Sequence, residues 1–343
     1  MSIYNVSGNE LSACYALDGT PLQKAYNING VEIFSAESGY SENNMVSYFR
    51  APTKAVCEEV NALSSDWETI IHITDTHGNA NRQHSQAIGM YVLDHTPAKF
   101  IVLGGDYIAG FDISANETEY RTYMTPFLNS GMMSKIFAIM GNHEVGQAGI
   151  ENGHYDAISE ILYNDFVAGK TGLHGDLENN NYYLDDAEKK IRYVFLNTSD
   201  HAAIGVTSDQ LSWLDQTVVL PDSTWALWCI GHVRISNMGG EVFSGGRTAV
   251  KDRLLNCNGS VIGYLCGHEH CDYLYHNGTF EEITMQGDLF SNTDYYPGIS
   301  VTDRVSGTVT EQAVSVISFN TKTRQVVIRR IGAGRQSSYS YSY

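Results

Sequence analysis

The chain has 343 residues, 43% of them hydrophobic, and a net charge of −18 from 39 acidic and 21 basic residues. That length and apolar share allow one large domain or two unequal ones with a sizeable core, and no apolar run approaches the roughly 18–20 residues of a membrane span. The acidic balance argues against a nucleic-acid partner, which needs clustered Lys and Arg, yet leaves room for a small phosphate ester at a bound cation.

In chain order, the first residues carry neither a basic region nor an apolar h-region, so no signal peptide is visible and a cytoplasmic or virion-associated location is expected. Residues 15–22 are echoed by residues 26–33, and Asp18-Gly19 and Asn29-Gly30 are hairpin turn signals. Residues 1–35 therefore read as a small β-hairpin module. So few residues bury little alone, which leaves two readings: a simple extension, or an element that attaches to an assembly partner. Residues 36–65 read as a linker with a short helix over 52–63, Pro52 standing in its first turn.

From residue 66 the pattern alternates. Strands are expected at 68–74, 99–104, 135–140, 225–230 and 261–266, and helices near 81–95, 115–129, 153–167, 207–219 and 246–256. Segments 182–184 and 192–197 read as a hairpin. Strands at 272–276, 280–285, 313–319 and 324–331 follow, the first two joined through Asn277-Gly278. The Gly-, Ser- and Tyr-rich stretch 332–343 is expected to be a flexible tail. The fold class is α/β, a layered β-sandwich flanked by helices, with its main domain over 66–331. Of six cysteines, Cys229 and Cys266 lie inside expected strands, and no Cys-x-x-Cys pair points to a zinc knuckle.

Five apolar runs end in metal-ligand chemistry. They lead into Asp75-Thr76-His77, Gly104-Gly105-Asp106, Gly141-Asn142-His143-Glu144, Gly231-His232 and Gly267-His268-Glu269-His270. In an open α/β sheet, ligands bind outside the carboxyl ends of the strands. One such residue is ordinary; five strand ends carrying Asp, Asn and His imply a shared site. Alternation along an extended segment puts Asp75 and His77 on one face, and likewise His268 and His270. Carboxylate, amide and imidazole donors without thiolates suit Mn²⁺, Fe or Zn²⁺.

These blocks, in this order, resemble the calcineurin-like metallophosphoesterase superfamily over roughly residues 66–290. The resemblance implies two divalent metal ions. Asp75, His77, Asp106 and His270 would hold one, and Asp106, Asn142, His232 and His268 the other, with Asp106 bridging. It further implies a hydrolase in which a metal-bound hydroxide attacks phosphorus in line, and His143 as a catalyst that protonates the leaving oxygen. His72, inside a strand, reads as structural. Asp200-His201 reads as a solvated loop pair.

Departures from the pattern narrow the substrate. Phosphoprotein phosphatases of this superfamily carry Gly-Asp-x-x-Asp-Arg and Gly-Asn-His-Glu-x-Arg. Here Ala109 and Gly110 replace the first Asp-Arg and Gly146 the second Arg, so the carboxylate that orients the catalytic His and two bidentate phosphate grips are missing. Purple acid phosphatases need Tyr at position 109, and it is absent. Arg234, two residues beyond His232, is a candidate for substrate binding. Phosphodiesters are accordingly expected to be favoured over phosphoproteins. The alternative reading is a non-catalytic structural or binding protein that keeps the fold, as part of a phage particle or surface assembly.

Overall fold

A computed structural model describes residues 24–26, 32–35, 40–78, 82–110, 113–144, 153–200, 203–235, 247–289 and 302–341. The chain divides into two units, Met1–Ser41 and Glu42–Tyr343. In the first, β1 (Lys24–Tyr26) pairs antiparallel with β2 (Glu32–Ser35). The earlier repeat of the hairpin module, residues 15–22, lies outside the described residues.

The second unit begins with α1 (Ser47–Asn61), β3 (Glu68–Ile73), α2 (Arg82–His95), β4 (Phe100–Leu103), α3 (Ile113–Leu128) and β5 (Ile136–Ala138). Next come α4 (Gly153–Leu162), a π-helical turn over Tyr163–Val167, β6 (Leu173–Asp176), β7 (Asn181–Asp186), β8 (Ile191–Phe195), β9 (Ser199–Asp200) and β10 (Ala203–Ile204). Then follow α5 (Ser208–Thr217), β11 (Ala226–Ile230), α6 (Arg247–Leu255), β12 (Ser260–Cys266), β13 (Tyr273–His276) and β14 (Glu281–Thr284). β15 (Ala313–Asn320), β16 (Gln325–Gly332) and β17 (Ser337–Ser340) complete it. The strands form a six-stranded sheet, order β17-β16-β15-β3-β4-β5, and a seven-stranded sheet, order β13-β14-β12-β11-β8-β7-β6.

The parallel strands β3-β4-β5 form one end of the six-stranded sheet, with antiparallel β15, β16 and β17 on the other side, while β8-β11-β12-β14 form a parallel centre with antiparallel strands on both sides. Parallel strands are covered on both faces, which is why these segments read as unbroken apolar runs. Between the sheets, Phe100, Phe137 and Phe319 of the six-stranded sheet meet Tyr193, Phe195 and Trp228 of the other, with ring centroids 4.9–5.5 Å apart in the closest pairs. Burying each Phe contributes roughly 1.5–3 kcal/mol. Tyr182 Oη adds a polar tie, donating to the Ala138 carbonyl at 2.7 Å. Outside the seven-stranded sheet, Leu214 of α5 and Val250 and Leu254 of α6 pack on Leu227 and Val261. A capping box of Thr207 and Gln210 starts α5.

Two boundary expectations are corrected. Much of the stretch expected as a linker is helical. Helix α1 starts at Ser47, five residues before the expected start, and its buried Phe49, Thr53, Val56, Cys57 and Val60 recur at helical spacing. Helix α1 lies against β16, and Arg329 Nε of β16 donates to Glu59 Oε2 at 2.6 Å. The polar residues around that stripe hide it from a composition reading. The 332–343 tail likewise contains β17, which pairs with β16 from Gln325↔Ser340 to Ile328↔Ser337. An edge strand of Ser and Tyr needs only one neighbour and buries little, so its apolar signal is weak.

Candidate metal centre

The C-terminal ends of β3, β4, β5, β11 and β12 converge, and backbone bonds tie their loops together. Asp75 N donates to Gly105 O and His77 N to Asp106 O, both at 3.0 Å, while Gly267 N donates to His232 O at 2.9 Å. Asp75, His77, Asp106, His268 and His270 all take φ between 43° and 69°, so the two ligand pairs do not lie on extended segments as alternation implied; left-handed turns place them instead. Eight non-glycine residues have positive φ among the described residues, and five of them are these. Each left-handed non-glycine residue costs of order 1–3 kcal/mol, and such strain persists only where the surroundings hold it in place. Glycines let the loops close in. A Cβ on Gly141 would collide with Asp106, and one on Gly267 with the Thr74 hydroxyl and the Asp75 carboxylate.

Two groups of donors result, each with its atoms within 4.8 Å of one another: Asp75, His77, Asp106 and His270, then Asp106, His232 and His268. In the first, His77 Nε2 lies 3.0 Å from His270 Nε2 and 3.7 Å from Asp106 Oδ2, and His270 Nε2 lies 3.2 Å from Asp75 Oδ1. In the second, His232 Nε2 lies 3.0 Å from Asp106 Oδ2 and 3.2 Å from Asn142 Oδ1. Asp106 belongs to both.

This donor set fits divalent cations. The carbonyl of Gly104 can only accept, so His232 Nδ1 donates to it at 2.7 Å and the Nε2 lone pair points at two further acceptors, Asp106 and Asn142. Three converging lone-pair donors in a buried site require a cation between them. In the metal-free chain a proton takes that place. Burial alone would lower His232, but the Asp106 carboxylate overrides it and raises the imidazole to about 10. Burial likewise lowers His77, to about 4. Asp75 moves against its own burial, the His270 imidazole holding its carboxyl below the ordinary range.

His143 stands apart from both groups. Its Nδ1 donates to the Ala109 carbonyl at 2.6 Å, its backbone N–H donates to Asp106 Oδ1 at 2.9 Å, and Nε2 is 3.8 Å from Asp106 Oδ2. With Nδ1–H fixed, Nε2 is the nitrogen that faces the centre. The neighbouring Glu144 is fully buried, and its carboxylate accepts from the backbone N–H groups of Asp106, Tyr107 and Gly141 at 2.7–2.8 Å. It locks the β4 and β5 loops to each other.

Arg234 is fully buried, and its Nε lies 2.7 Å from Glu269 Oε1, in the His268–His270 loop. Position along the sequence could not reveal that Glu269, between two of the donors, pairs with it. Arg330 plays the same part for Asp272, which also accepts from Arg335 N at 2.8 Å and Gln286 N at 3.1 Å. His72 is buried as expected, and burial lowers it to about 3. His201 lies outside the described residues. Groups that the sequence reading missed act mainly through backbone atoms: the Gly104 and Ala109 carbonyls leave no mark in a residue pattern. Glu144, by contrast, is visible in the Gly-Asn-His-Glu block.

A family model for calcineurin-like phosphoesterases matches residues 68–272. Among solved structures, a dimetal phosphatase from Danio rerio is similar at 16% identity and a TM-score of 0.56, with 80% of this chain and 99% of that chain covered. The phosphopantetheinyl hydrolase of Mycobacterium tuberculosis is similar at 12% identity and a TM-score of 0.40, covering 65% of this chain and 91% of that one. No curated protein gives a significant match. No helix among the described residues is long and apolar enough to cross a membrane.

Proposed function

This chain belongs to the calcineurin-like phosphoesterase family and is a metal-dependent phosphoesterase, and from that premise we propose a dinuclear enzyme that favours phosphodiesters. Asp75, His77, Asp106 and His270 would hold one cation, and Asp106, Asn142, His232 and His268 the other. The observation that carries this reading is the shared position of Asp106, within 3.7 Å of His77 Nε2 on one side and 3.0 Å of His232 Nε2 on the other. The N/O donor set suits Mn²⁺, Fe or Zn²⁺. Two such ions, when bound, would supply an activated water and neutralise charge on the phosphoryl oxygens.

The chain's own residues do the rest. Glu144 holds the Asp106 loop at a fixed distance from the Asn142 loop. His143, with Nδ1–H anchored on Ala109 O, presents Nε2 toward the substrate and, when protonated, gives that proton to the departing oxygen. The substrate class follows from what surrounds the phosphate. Ala109 and Gly110 stand where an Asp-Arg pair would orient the His and grip a dianion, and Arg234 is taken up by Glu269. A monoanionic diester needs less cationic help than a dianionic monoester.

The test compares bis-p-nitrophenyl phosphate with p-nitrophenyl phosphate and a phosphoserine peptide at the same metal and pH. The diester is expected to show kcat/KM equal to or above that of the monoester, and the peptide to be poor. A clear preference for the peptide would return the chain to the protein-phosphatase group.

A further inference from the structure

The carboxylate that orients the catalytic His in protein phosphatases is replaced here by a backbone carbonyl. A carbonyl can serve only if the loop that bears it is held still. Glu144 secures the first part of that loop, through the N–H groups of Asp106 and Tyr107 at 2.7–2.8 Å and of Ile108 at 3.4 Å. Its grip stops one residue short of Ala109. At Ala109 a second carboxylate takes over: the N–H donates to Glu119 Oε2 at 3.4 Å, from helix α3. Glu119 Oε1 meanwhile packs on the loop that follows β3. A Cβ built on Gly78, the residue after His77, would fall on that oxygen. On the far side, Gly110 has φ +73°, and a Cβ there would lie 2.7 Å from His143 O. The loop is thus pressed between Glu119 and the His143 backbone, with the Ala109 carbonyl aimed at Nδ1.

We infer that Glu119 is a positioning residue for His143, holding the Ala109 carbonyl in place of the missing carboxylate. This rests on the reading of His143 as the proton donor. Glu119 belongs to neither donor group of the metal centre, and its effect passes through the orientation of one imidazole. Such supporting groups are commonly worth about 10–100-fold in activity.

The experiment measures kcat on two diesters with the Mn²⁺-loaded full chain. One has an alkyl leaving group, which needs a proton to depart; the other releases p-nitrophenolate, which does not. Glu119→Ala is expected to lose about 10–100-fold on the alkyl ester and little on the nitrophenyl ester, with metal stoichiometry unchanged. Glu119→Gln keeps an oxygen acceptor and is expected to restore most of the loss. Glu119→Asp keeps the charge but draws the oxygens back, and should share the defect; it serves as the test if the Ala variant does not fold. In the His143→Ala background, Glu119→Ala should cost nothing more. A readout independent of metal and turnover is the ¹⁵N spectrum of the His143 ring. Wild type and Glu119→Gln should show a fixed Nδ1–H tautomer, and Glu119→Ala should lose it. Equal losses on both esters, or full additivity with His143→Ala, would overturn the inference. If His143→Ala itself shows no leaving-group dependence, the proton-donor reading has failed instead.

Discussion

The two sheets contribute unlike halves of the centre. The six-stranded sheet brings both carboxylates, the Asn142 amide, His77 and His143, all from the ends of β3, β4 and β5. The seven-stranded sheet brings imidazoles alone: His232 after β11, and His268 and His270 after β12. Behind these, buried pairs Arg234–Glu269 and Arg330–Asp272 neutralise the acids of the same loop. One sheet therefore supplies the carboxylates and the other supplies imidazole donors on a charge-balanced support. Neither donor group closes within one sheet. Asp75, His77 and Asp106 need His270 from across the seam, and His232 and His268 need Asp106.

The comparison is most severely tested at Asp106, the one residue shared by both groups. Asp106→Asn is expected to reduce metal content by elemental analysis from near two per chain and to lower turnover by roughly 10³-fold or more, since metal catalysis supplies several kcal/mol. Full occupancy and activity in this variant would break the assignment of a bridging carboxylate. His143→Ala probes the same sheet without touching the donors. Turnover of an alkyl diester should fall about 10²–10⁴-fold with both metals retained; metal loss would instead place His143 among the ligands.

The smallest expected effect lies at the seam itself. Asp288, in the loop after β14, accepts from Ala313 N of β15 at 2.8 Å and from Ser85 of α2, while its own N–H donates to Thr74 O at 2.9 Å. Burial raises its carboxyl to about 6, against about 3.9 in an unfolded chain. Between those values the folded chain binds the extra proton, so stability falls as pH rises through that window. The penalty is absent below about pH 4 and constant above about pH 6, with a ceiling of roughly 2–3 kcal/mol. Urea melts of the metal-free chain should show Asp288→Asn gaining on wild type across that window and holding a constant difference above it. A difference that does not change with pH would show that Asp288 is not strained by burial.

The five strand-end blocks are legible in the sequence because their chemistry is local. An apolar run, a glycine and a ligand-type residue occupy adjacent positions, and a buried parallel strand has to read that way. The strands and helices of the main unit follow from the same periodicity, and the observed β3, β4, β11 and β12 each lie within one or two residues of the expected bounds. What the tertiary structure alone decided is long-range or carried by the backbone. The left-handed φ of five donors and the Gly104 and Ala109 carbonyls have no side-chain signature. Glu119 lies ten residues from Ala109 on an ordinary-looking helix, and Arg234 reads as a substrate ligand along the chain yet is paired with Glu269 in the fold. Helix α1 and strand β17 read as linker and tail because their burial depends on β16, which comes late in the chain. A sequence records which groups are present; whether a given group faces substrate, a metal or another side chain is set by packing between elements far apart in the chain.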